Sequence, residues 1–324
     1  MSGAWSTASA PGKLVVLGEH SVVYGKPAIT LAADLRMTVA VRRAPWNTMN
    51  GERLDFRRQP HIRHITRGLK HAMEMLTWSD IPVGAGMGSS AALSASLALA
   101  VSDMEGRRLG EEELMRESYD AEWFAQGNGS PMDASTCVHG GGLAINMPGA
   151  SGKRLWTVEK DDRRWEFRDL EAPEMTFVVG YTGIKAPTGP QVDKVHHYVE
   201  KTAFASDMIE EIAGLTMEGG KALRSNDVEG LGRLMTEDHK LLSILGVSCD
   251  SLNRLVNAAL PYSYGAKLTG SGGGGCMMAL TDRPEKVCEA ISVHGGRPYV
   301  VRTGVEGARM ELRPPIAEGG RPRL

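Results

Sequence analysis

The sequence has few cysteines, no long hydrophobic run and no excess of charge of one sign. Its 4 cysteines form no C-x-x-C pair, which argues against a zinc site or a redox dithiol. No stretch reaches the roughly 18 apolar residues of a membrane span, and the first residues lack the pattern of a secretory signal. The 37 basic and 39 acidic residues nearly balance, so no positive field indicates nucleic acid or anionic lipid as a partner. We therefore expect a reduced protein of the cytoplasm.

Length and composition indicate a globular chain with two domains. The 324 residues correspond to about two units of roughly 150 residues each. Hydrophobic residues make up 42% and charged residues 23%, which excludes a disordered or fibrous chain. Glycine is the outlier, with 39 residues, against a usual frequency of about 7%. The glycines cluster at 84–88, 127–129, 140–142 and 270–275, and several such clusters favour loops that bind a ligand.

Short β-branched runs predict strands, and longer runs with apolar residues at helical spacing predict helices. The expected strands are 14–17, 36–43, 176–181, 276–280 and 298–302. The expected helices are 90–101, 111–126, about 284–293 and most of 191–260. We interpret 60–76 as the solvated face of a helix and 159–174 as a hairpin or connection near a domain boundary. The order of elements in the second half favours an α+β sandwich.

The sharpest motif is a glycine-rich loop, PVGAGMGSSAA, that leads into a helix of small residues. Free N–H groups at the start of a helix bind anions, and glycine lets a phosphate approach the main chain. The loop lacks the G-K-[ST] ending of a Walker A motif. It also narrowly misses a dinucleotide fingerprint, because Ser89 stands where the third small residue should be Gly or Ala, although Asp103 follows at a suitable distance. A plain glycine turn before a buried helix remains an alternative.

Three further groups of residues could carry chemistry. Lys13, Glu19 and His20 flank the ends of one predicted strand. Glu122 and Asp133 are separated by a glycine turn that could fold both carboxylates into one cleft, where one could hold Mg²⁺ and the other accept a proton. The glycine run at 270–275 loses much conformational entropy when it is ordered, so we expect either a bound ligand or tight packing to compensate for this cost.

Taken together, three strings resemble the three motifs of the GHMP kinases, in order and at suitable spacing. The strings are PGKLVVLGEHSVVYGKPAI, PVGAGMGSSAALSAS and KLTGSGGGGCMMAL, and the resemblance extends from Pro11 to about Gly304. It implies a two-domain α+β fold with the active site in the cleft between the domains. The expected domains are a mixed α/β ATP-binding domain at 1–172 and a ferredoxin-like α+β domain at 173–324.

The resemblance also implies roles for particular residues. Asp133 matches the catalytic residue, with Lys13 beside it, and Ser90 and Glu122 match the Mg²⁺ ligands. The residues that match the phosphate loop are Pro82, Gly84, Ala85, Gly86, Met87, Gly88, Ser89 and Ser90. The residues expected to contact the acceptor substrate are Glu19, His20, Thr182, Thr188 and Gly272. Two departures are Met87 in place of leucine, a volume-conserving change, and the lack of an arginine after Tyr181.

Within the family, the string GEHSVVYGKPAI is most similar to members that transfer the γ-phosphoryl group of ATP to the 5-hydroxyl of (R)-mevalonate in isoprenoid biosynthesis. The resemblance implies ATP as co-substrate, Mg²⁺ as cofactor and a homodimer. Phosphomevalonate or the acceptor of another small-molecule kinase of the family is the alternative substrate. From the residues alone, a nicotinamide-binding oxidoreductase and a non-catalytic nucleotide-binding module also stay open.

Overall fold

The computed structural model describes residues 4–82, 84, 86–127 and 129–314. Within them the chain forms two β-sheets with helices packed against them. The strands are β1 (Ser6–Leu17), β2 (Ala28–Arg43), β3 (Thr48–Met49), β4 (Glu52–Arg53), β5 (Met73–Ser79), β6 (Gly142–Ile145), β7 (Arg154–Lys160), β8 (Arg163–Asp169), β9 (Thr176–Tyr181), β10 (Gly265–Thr269), β11 (Cys276–Leu280), β12 (Arg297–Arg302) and β13 (Arg309–Glu311). The helices are α1 (Pro60–Ile65), α2 (Ser89–Met104), α3 (Glu111–Gln126), α4 (Met132–His139), α5 (Thr188–Lys201), α6 (Ala203–Arg224), α7 (Val228–Ile244), α8 (Asp250–Ala259) and α9 (Pro284–Val293).

The larger sheet is built around the long antiparallel pair β1 and β2, in which Leu14 lies opposite Leu31. Its strand order is β4-β3-β5-β2-β6-β8-β7, and β1 also pairs with β13 near the end of the described chain. Every residue of β1 is buried, because the strand contacts α2 and α4 and also α6, α7 and β10. The end of β1 is therefore placed where the two sheets and their helices meet.

Three helices of the first half pack together beside the larger sheet. Helix α2 is made largely of alanine, serine and leucine, and Ala91, Ala95 and Ala98 are buried, so its backbone approaches β1 and β2 closely. Helix α3 begins with glutamates that suit the positive end of the helix dipole, and the Glu113 carboxylate accepts a hydrogen bond from the Gly110 N–H at 2.9 Å. Helix α3 contacts both α2 and α4.

The smaller sheet is antiparallel, with the order β10-β11-β9-β12. Its strands are short and apolar, and every residue of β10 and β11 is buried. The apolar faces of α5 to α9 contribute Val195, Ile212, Leu242, Leu255 and Ile291 to a second core cluster. Helices thus cover this sheet, as the alternation of strands and helices predicted.

Most expected elements are confirmed, and the differences have simple causes. The strand predictions at 176–181 and 276–280 coincide with β9 and β11, and 159–174 falls largely in the β7–β8 hairpin. The helix expected over 60–76 is wrong for its second part. Only Pro60–Ile65 is helical, and Met73–Ser79 is a strand in which Met73, Met75 and Thr77 are buried at alternate positions. Pairing of this segment with β2 overrides its helical propensity.

None of the helices within the described ranges is long and apolar enough to cross a bilayer. The 4 cysteines are free, and Cys137 and Cys276 are buried. The larger and smaller sheets are therefore held together by packing and polar contacts.

A polar cluster beside the larger sheet, formed by α4, α3 and β8, predicts a pH-dependent contribution to stability. His139 ends α4, and its ring nitrogens lie 2.5 Å from Glu111 and 3.3 Å from Asp169. Burial lowers the pKa of His139, but hydrogen bonds and charges from the two carboxylates outweigh it and raise the pKa above its usual range. The stabilisation is therefore complete below about pH 6.5 and is lost as pH rises through the raised pKa of the folded state.

We expect His139→Gln to lower the free energy of unfolding at pH 6 by about 0.5–1 kcal/mol, a value typical of partly exposed ion pairs. The difference should shrink at pH 9, where His139 is neutral. Urea denaturation at both pH values measures it. His197→Gln on α5, where His197 is exposed, is the control. Equal losses for His139→Gln at pH 6 and pH 9 would show that the charge contributes nothing.

Candidate active site

A cleft of about 290 Å³ lies between the two sheets and contains most of the residues singled out from the sequence. Its walls come from the end of β1, the glycine-rich loop before α2, helices α3 and α4, and the loop between β10 and β11. Of the predicted site residues, those that line it are Lys13, Glu19, His20, Gly84, Gly86, Gly88, Ser89, Ser90, Glu122, Asp133, Thr188 and Gly272. Pro82, Met87 and Thr182 are described but do not line it, and Ala85 lies outside the described residues.

The glycine-rich loop leads directly into α2, whose N-cap is Gly88 with φ 73°. A side chain at this position would be strained by the backbone angle, and its Cβ would lie 2.9 Å from Lys13 Cγ. The main-chain oxygen of Met87 also accepts a hydrogen bond from the Lys13 N–H at 3.0 Å. The loop therefore lies against Lys13, and the unpaired N–H groups at the start of α2 face the cleft as an anion site.

Lys13 and Asp133 form an ion pair, with Nζ and Oδ1 3.0 Å apart. The Lys13 side chain is 4% exposed, whereas that of Asp133 is 34% exposed and can be reached from the cleft. Asp133 lies in the first turn of α4, but the N-cap is Pro131 and no side chain caps this end of the helix. Asp133 therefore does not cap the helix, although aspartate often does so near a helix start, and its carboxylate is available for chemistry.

Ser90 and Glu122 come together at the other side of the phosphate loop. The Ser90 hydroxyl donates a hydrogen bond to Glu122 Oε2 at 3.0 Å, and Gln126 donates to the same oxygen at 3.2 Å. His61 Nε2 lies 3.0 Å from the second oxygen, Oε1. The sequence analysis did not identify Gln126 or His61 as neighbours of Glu122. Gln126 could have been found, since it is one helical turn after Glu122, but nothing in the sequence places α1 beside α3.

These groups fit a magnesium ion bound together with a nucleotide. Within the described ranges no cluster of three His, Cys, Asp or Glu side chains could hold a metal alone. Mg²⁺, however, keeps several waters and takes only one or two protein oxygens when phosphates supply the others. Ser90 Oγ and Glu122 can supply such oxygens, and Glu122 Oε1 is buried next to His61.

The turn after β1 carries Glu19 and His20 into the opposite wall of the cleft. The Nε2–H of His20 donates to the main-chain oxygen of Ser271, 3.0 Å away. Burial, with a further contribution from the Lys267 charge, lowers the pKa of His20 to about 4, so the ring is neutral. Its Nδ1 is then an acceptor, and it is buried without a partner. Glu19 is 3% exposed and its carboxylate contacts Lys267.

The glycine run after β10 owes its composition to packing. A Cβ on Gly272 would overlap the carbonyl oxygen of Val247, and a Cβ on Gly274 would lie 2.9 Å from the carbonyl oxygen of Ile184. The Thr182 hydroxyl donates to the oxygen of Gly275 at 2.8 Å and so holds the loop from behind. Of the two explanations left open for this run, tight packing is therefore observed.

Two family models match this chain. The model of the GHMP kinases N terminal domain matches residues 58–141, and that of the GHMP kinases C terminal matches residues 221–295. A protein of Pyrococcus abyssi named mevalonate kinase is 33% identical over 94% of this chain and 97% of its own length. The chain therefore belongs to the GHMP kinases. Its relatives of 33% identity over nearly the whole chain are named mevalonate kinase.

Solved structures agree with this assignment. The mevalonate kinase of Methanococcus jannaschii is 26% identical, covers 93% of this chain with 99% of its own, and superposes with a TM-score of 0.76. The mevalonate kinase of L. major in complex with R-mevalonate is 20% identical, covers 94% of this chain with 98% of its own, and has a TM-score of 0.81. The second likeness shows the fold alone. The predicted two-sheet α+β architecture is confirmed.

Gly88→Ala tests whether the loop must lie against Lys13. We expect the change to lower the free energy of unfolding by about 1–2 kcal/mol, the usual penalty for a left-handed residue with a side chain, and to weaken ATP binding, because Lys13 is displaced. The measurements are the thermal midpoint and the rise in that midpoint on adding ATP and Mg²⁺.

Gly106→Ala is the matched control. Gly106 has a similar φ of 68°, but a Cβ there meets nothing within 4 Å. It should show the stability loss alone, with the ATP-induced shift intact. If both variants kept the same ATP-induced shift, the contact between the loop and Lys13 would not matter for nucleotide binding.

Proposed function

We propose that this chain transfers the γ-phosphoryl group of ATP to the 5-hydroxyl of (R)-mevalonate, giving 5-phosphomevalonate. The observation that carries the proposal is the Lys13–Asp133 ion pair, which lies between the phosphate loop and the turn that bears His20. The names of relatives that match nearly the whole chain support the substrate. The half-exposed carboxylate next to an anion site supports phosphoryl transfer to a hydroxyl.

The chemistry needs charge neutralisation and positioning more than covalent help. The N–H groups at the start of α2 and the Lys13 ammonium stabilise the negative charge of the transferring group. Asp133 orients the acceptor hydroxyl and accepts its proton. Ser90 and Glu122 hold Mg²⁺, which when bound neutralises phosphate charge. A carboxylate of ordinary basicity suffices as acceptor if the proton leaves late, as in a loose transition state.

The charge of the cleft favours an acceptor without a phosphate group. Among the described residues that line it, Lys13 is the one cationic side chain, since His20 is neutral. Lys13 is already paired with Asp133 and lies on the phosphate-loop side. A phosphorylated acceptor brings about two more negative charges, which require Arg or Lys partners. Mevalonate carries one carboxylate, and the neutral His20 that lines the cleft suits its hydroxyl groups.

The structure disfavours the two readings from other classes. A dinucleotide-binding unit places its glycine loop in the turn after a strand of a mostly parallel sheet. Here β5, the strand before the loop, pairs antiparallel over its whole length with β2 and parallel only with the two residues of β3. A non-catalytic nucleotide-binding module does not require an acid paired with a lysine in the cleft. We further propose a homodimer that acts in the cytoplasm with Mg²⁺. Light scattering after size exclusion tests the dimer.

The first test is acceptor choice. In a coupled assay of ADP release with ATP and Mg²⁺, we expect kcat/KM for mevalonate to exceed that for phosphomevalonate at least 100-fold. This ratio corresponds to about 2.7 kcal/mol of discrimination. Homoserine and galactose are tested as further acceptors. Fluorescence titration with NADH tests the alternative that the chain is a nicotinamide-binding oxidoreductase. Equal or better turnover of phosphomevalonate would overturn the proposal.

The second test is the proton acceptor. Asp133→Asn keeps the shape and removes the charge, so we expect kcat to fall about 10²–10⁴-fold, the range of general-base help. KM for ATP and for mevalonate should change far less, because the role belongs to the transition state. Steady-state rates with a thermal melt as the folding check measure this.

Asp103→Asn is the matched control, because Asp103 is an exposed carboxylate of α2 and would bind ribose in the dinucleotide reading. It should retain the kcat of the unmodified chain. An Asp133→Asn protein that melts normally and keeps nearly full kcat would remove Asp133 from the catalytic step.

A further inference from the structure

A second lysine, outside the catalytic pair, joins the two halves of the molecule on the acceptor side of the cleft. Lys267 lies on β10 and its side chain is 0% exposed. Its ammonium group contacts Glu19 Oε1 and lies 2.8 Å from Asp238 Oδ2 on α7. Glu19 belongs to the turn after β1 of the larger sheet, whereas Lys267 and Asp238 belong to elements packed at the smaller sheet. These three residues are called the acceptor-side triad below.

The triad is buried at the point where the backbone is strained. His20 directly follows Glu19 and has φ 61°, a value that residues other than glycine rarely adopt. Such a conformation persists only where surrounding contacts hold it. Two contacts do so here, the ion pair of Glu19 with Lys267 and the hydrogen bond of His20 to Ser271. Both partners belong to the segment of β10 and the glycine run.

The charges of the triad are close to balance. Burial raises the pKa of Glu19 to about 8 despite the nearby Lys267 charge, and burial also raises the pKa of Asp238. Both carboxyl groups therefore resist ionisation, so the triad carries less negative charge than two full carboxylates against the one positive charge of Lys267. A balanced group can stay buried, whereas removal of the lysine alone leaves an uncompensated carboxylate.

We propose that Lys267 is a positioning residue for the acceptor substrate, because it holds Glu19 and thereby fixes the turn that presents His20 to the cleft. The phosphate side has its own contacts, Lys13 with Asp133 and Ser90 with Glu122, none of which involves the triad. Loss of the lysine therefore acts on mevalonate and leaves ATP nearly unaffected. Glu19 acts through this contact and also lines the cleft, so its expected contact with the substrate stays a prediction. The inference rests on the proposed function.

Three variants separate positioning from stability. Lys267→Met removes the ion pair, and we expect KM for mevalonate to rise at least tenfold while KM for ATP changes less than threefold. The melting temperature should fall as well, because two carboxyl groups lose their cation. Asp238→Asn keeps the pair of Lys267 with Glu19, so KM for mevalonate should stay within about twofold of the unmodified value.

The double variant Lys267→Met with Asp238→Asn decides between the two roles. It leaves Glu19 as the single carboxyl group, which remains protonated and neutral, so the melting temperature should recover toward that of the unmodified chain. The KM for mevalonate should remain raised, because the tether is still missing. The shift in melting temperature that mevalonate itself induces provides a readout independent of turnover.

The outcomes are distinct. If KM for mevalonate recovered together with the melting temperature in the double variant, Lys267 would have only a structural role and the inference would be wrong. Equal increases in KM for ATP and for mevalonate would also overturn it. Failure of the unmodified chain to phosphorylate mevalonate would instead overturn the proposed function. Since the double variant leaves no unpaired charge at the triad, it tests the inference even if Lys267→Met does not fold.

Discussion

The structure depends on the placement of one nearly buried ammonium group, that of Lys13. The lysine is held from three directions: by its own strand β1, by the main chain of Met87 in the phosphate loop, and by Asp133 at the start of α4. A cation that is 4% exposed requires such partners. The loop can lie against it only because Gly88 has no side chain. The glycine-rich loop and the Asp133 carboxylate are therefore both positioned by Lys13.

Each side of the cleft has a buried lysine paired with carboxylates, but the number and exposure of the carboxylates differ. Lys13 faces one carboxylate that remains partly exposed, whereas Lys267 faces two that are fully enclosed. The first arrangement leaves Asp133 free to meet a hydroxyl group. In the second, the charges pair with one another, and burial, with a smaller contribution from the Lys267 charge, lowers the pKa of His20 and keeps it neutral. The acceptor end is thus uncharged but polar, which suits hydroxyl groups better than a second phosphate.

Much of this could be predicted from the sequence, because the local signals were strong. The helix at Glu111–Gln126 and the strand at Thr176–Tyr181 have the expected bounds, since each combines a regular pattern with clear ends. The pairing of Lys13 with Asp133 was predicted by resemblance and not by spacing, because the two residues lie on elements that only the fold brings together. The strand at Met73–Ser79 was missed because its alternation follows a histidine-rich helix without a clear break.

Long-range polar contacts were beyond reach for a physical reason. Asp238 sits on an amphipathic helix among Glu237 and Lys240, which form an exposed surface pair, so a charged residue there suggests another solvated position. Its burial follows from the packing of α7 on β10, which no local pattern encodes.

The same limit applies to the glycine run at 270–275. Composition alone allowed a ligand or tight packing, and only the structure shows the carbonyl oxygens of Val247 and Ile184 packed beside Gly272 and Gly274. Contact of the run with a ligand stays a prediction. Gly88 and Gly272 are thus glycines for different reasons. A side chain at Gly88 would meet Lys13 beside the anion site at the start of α2, whereas a side chain at Gly272 would overlap the main chain of Val247.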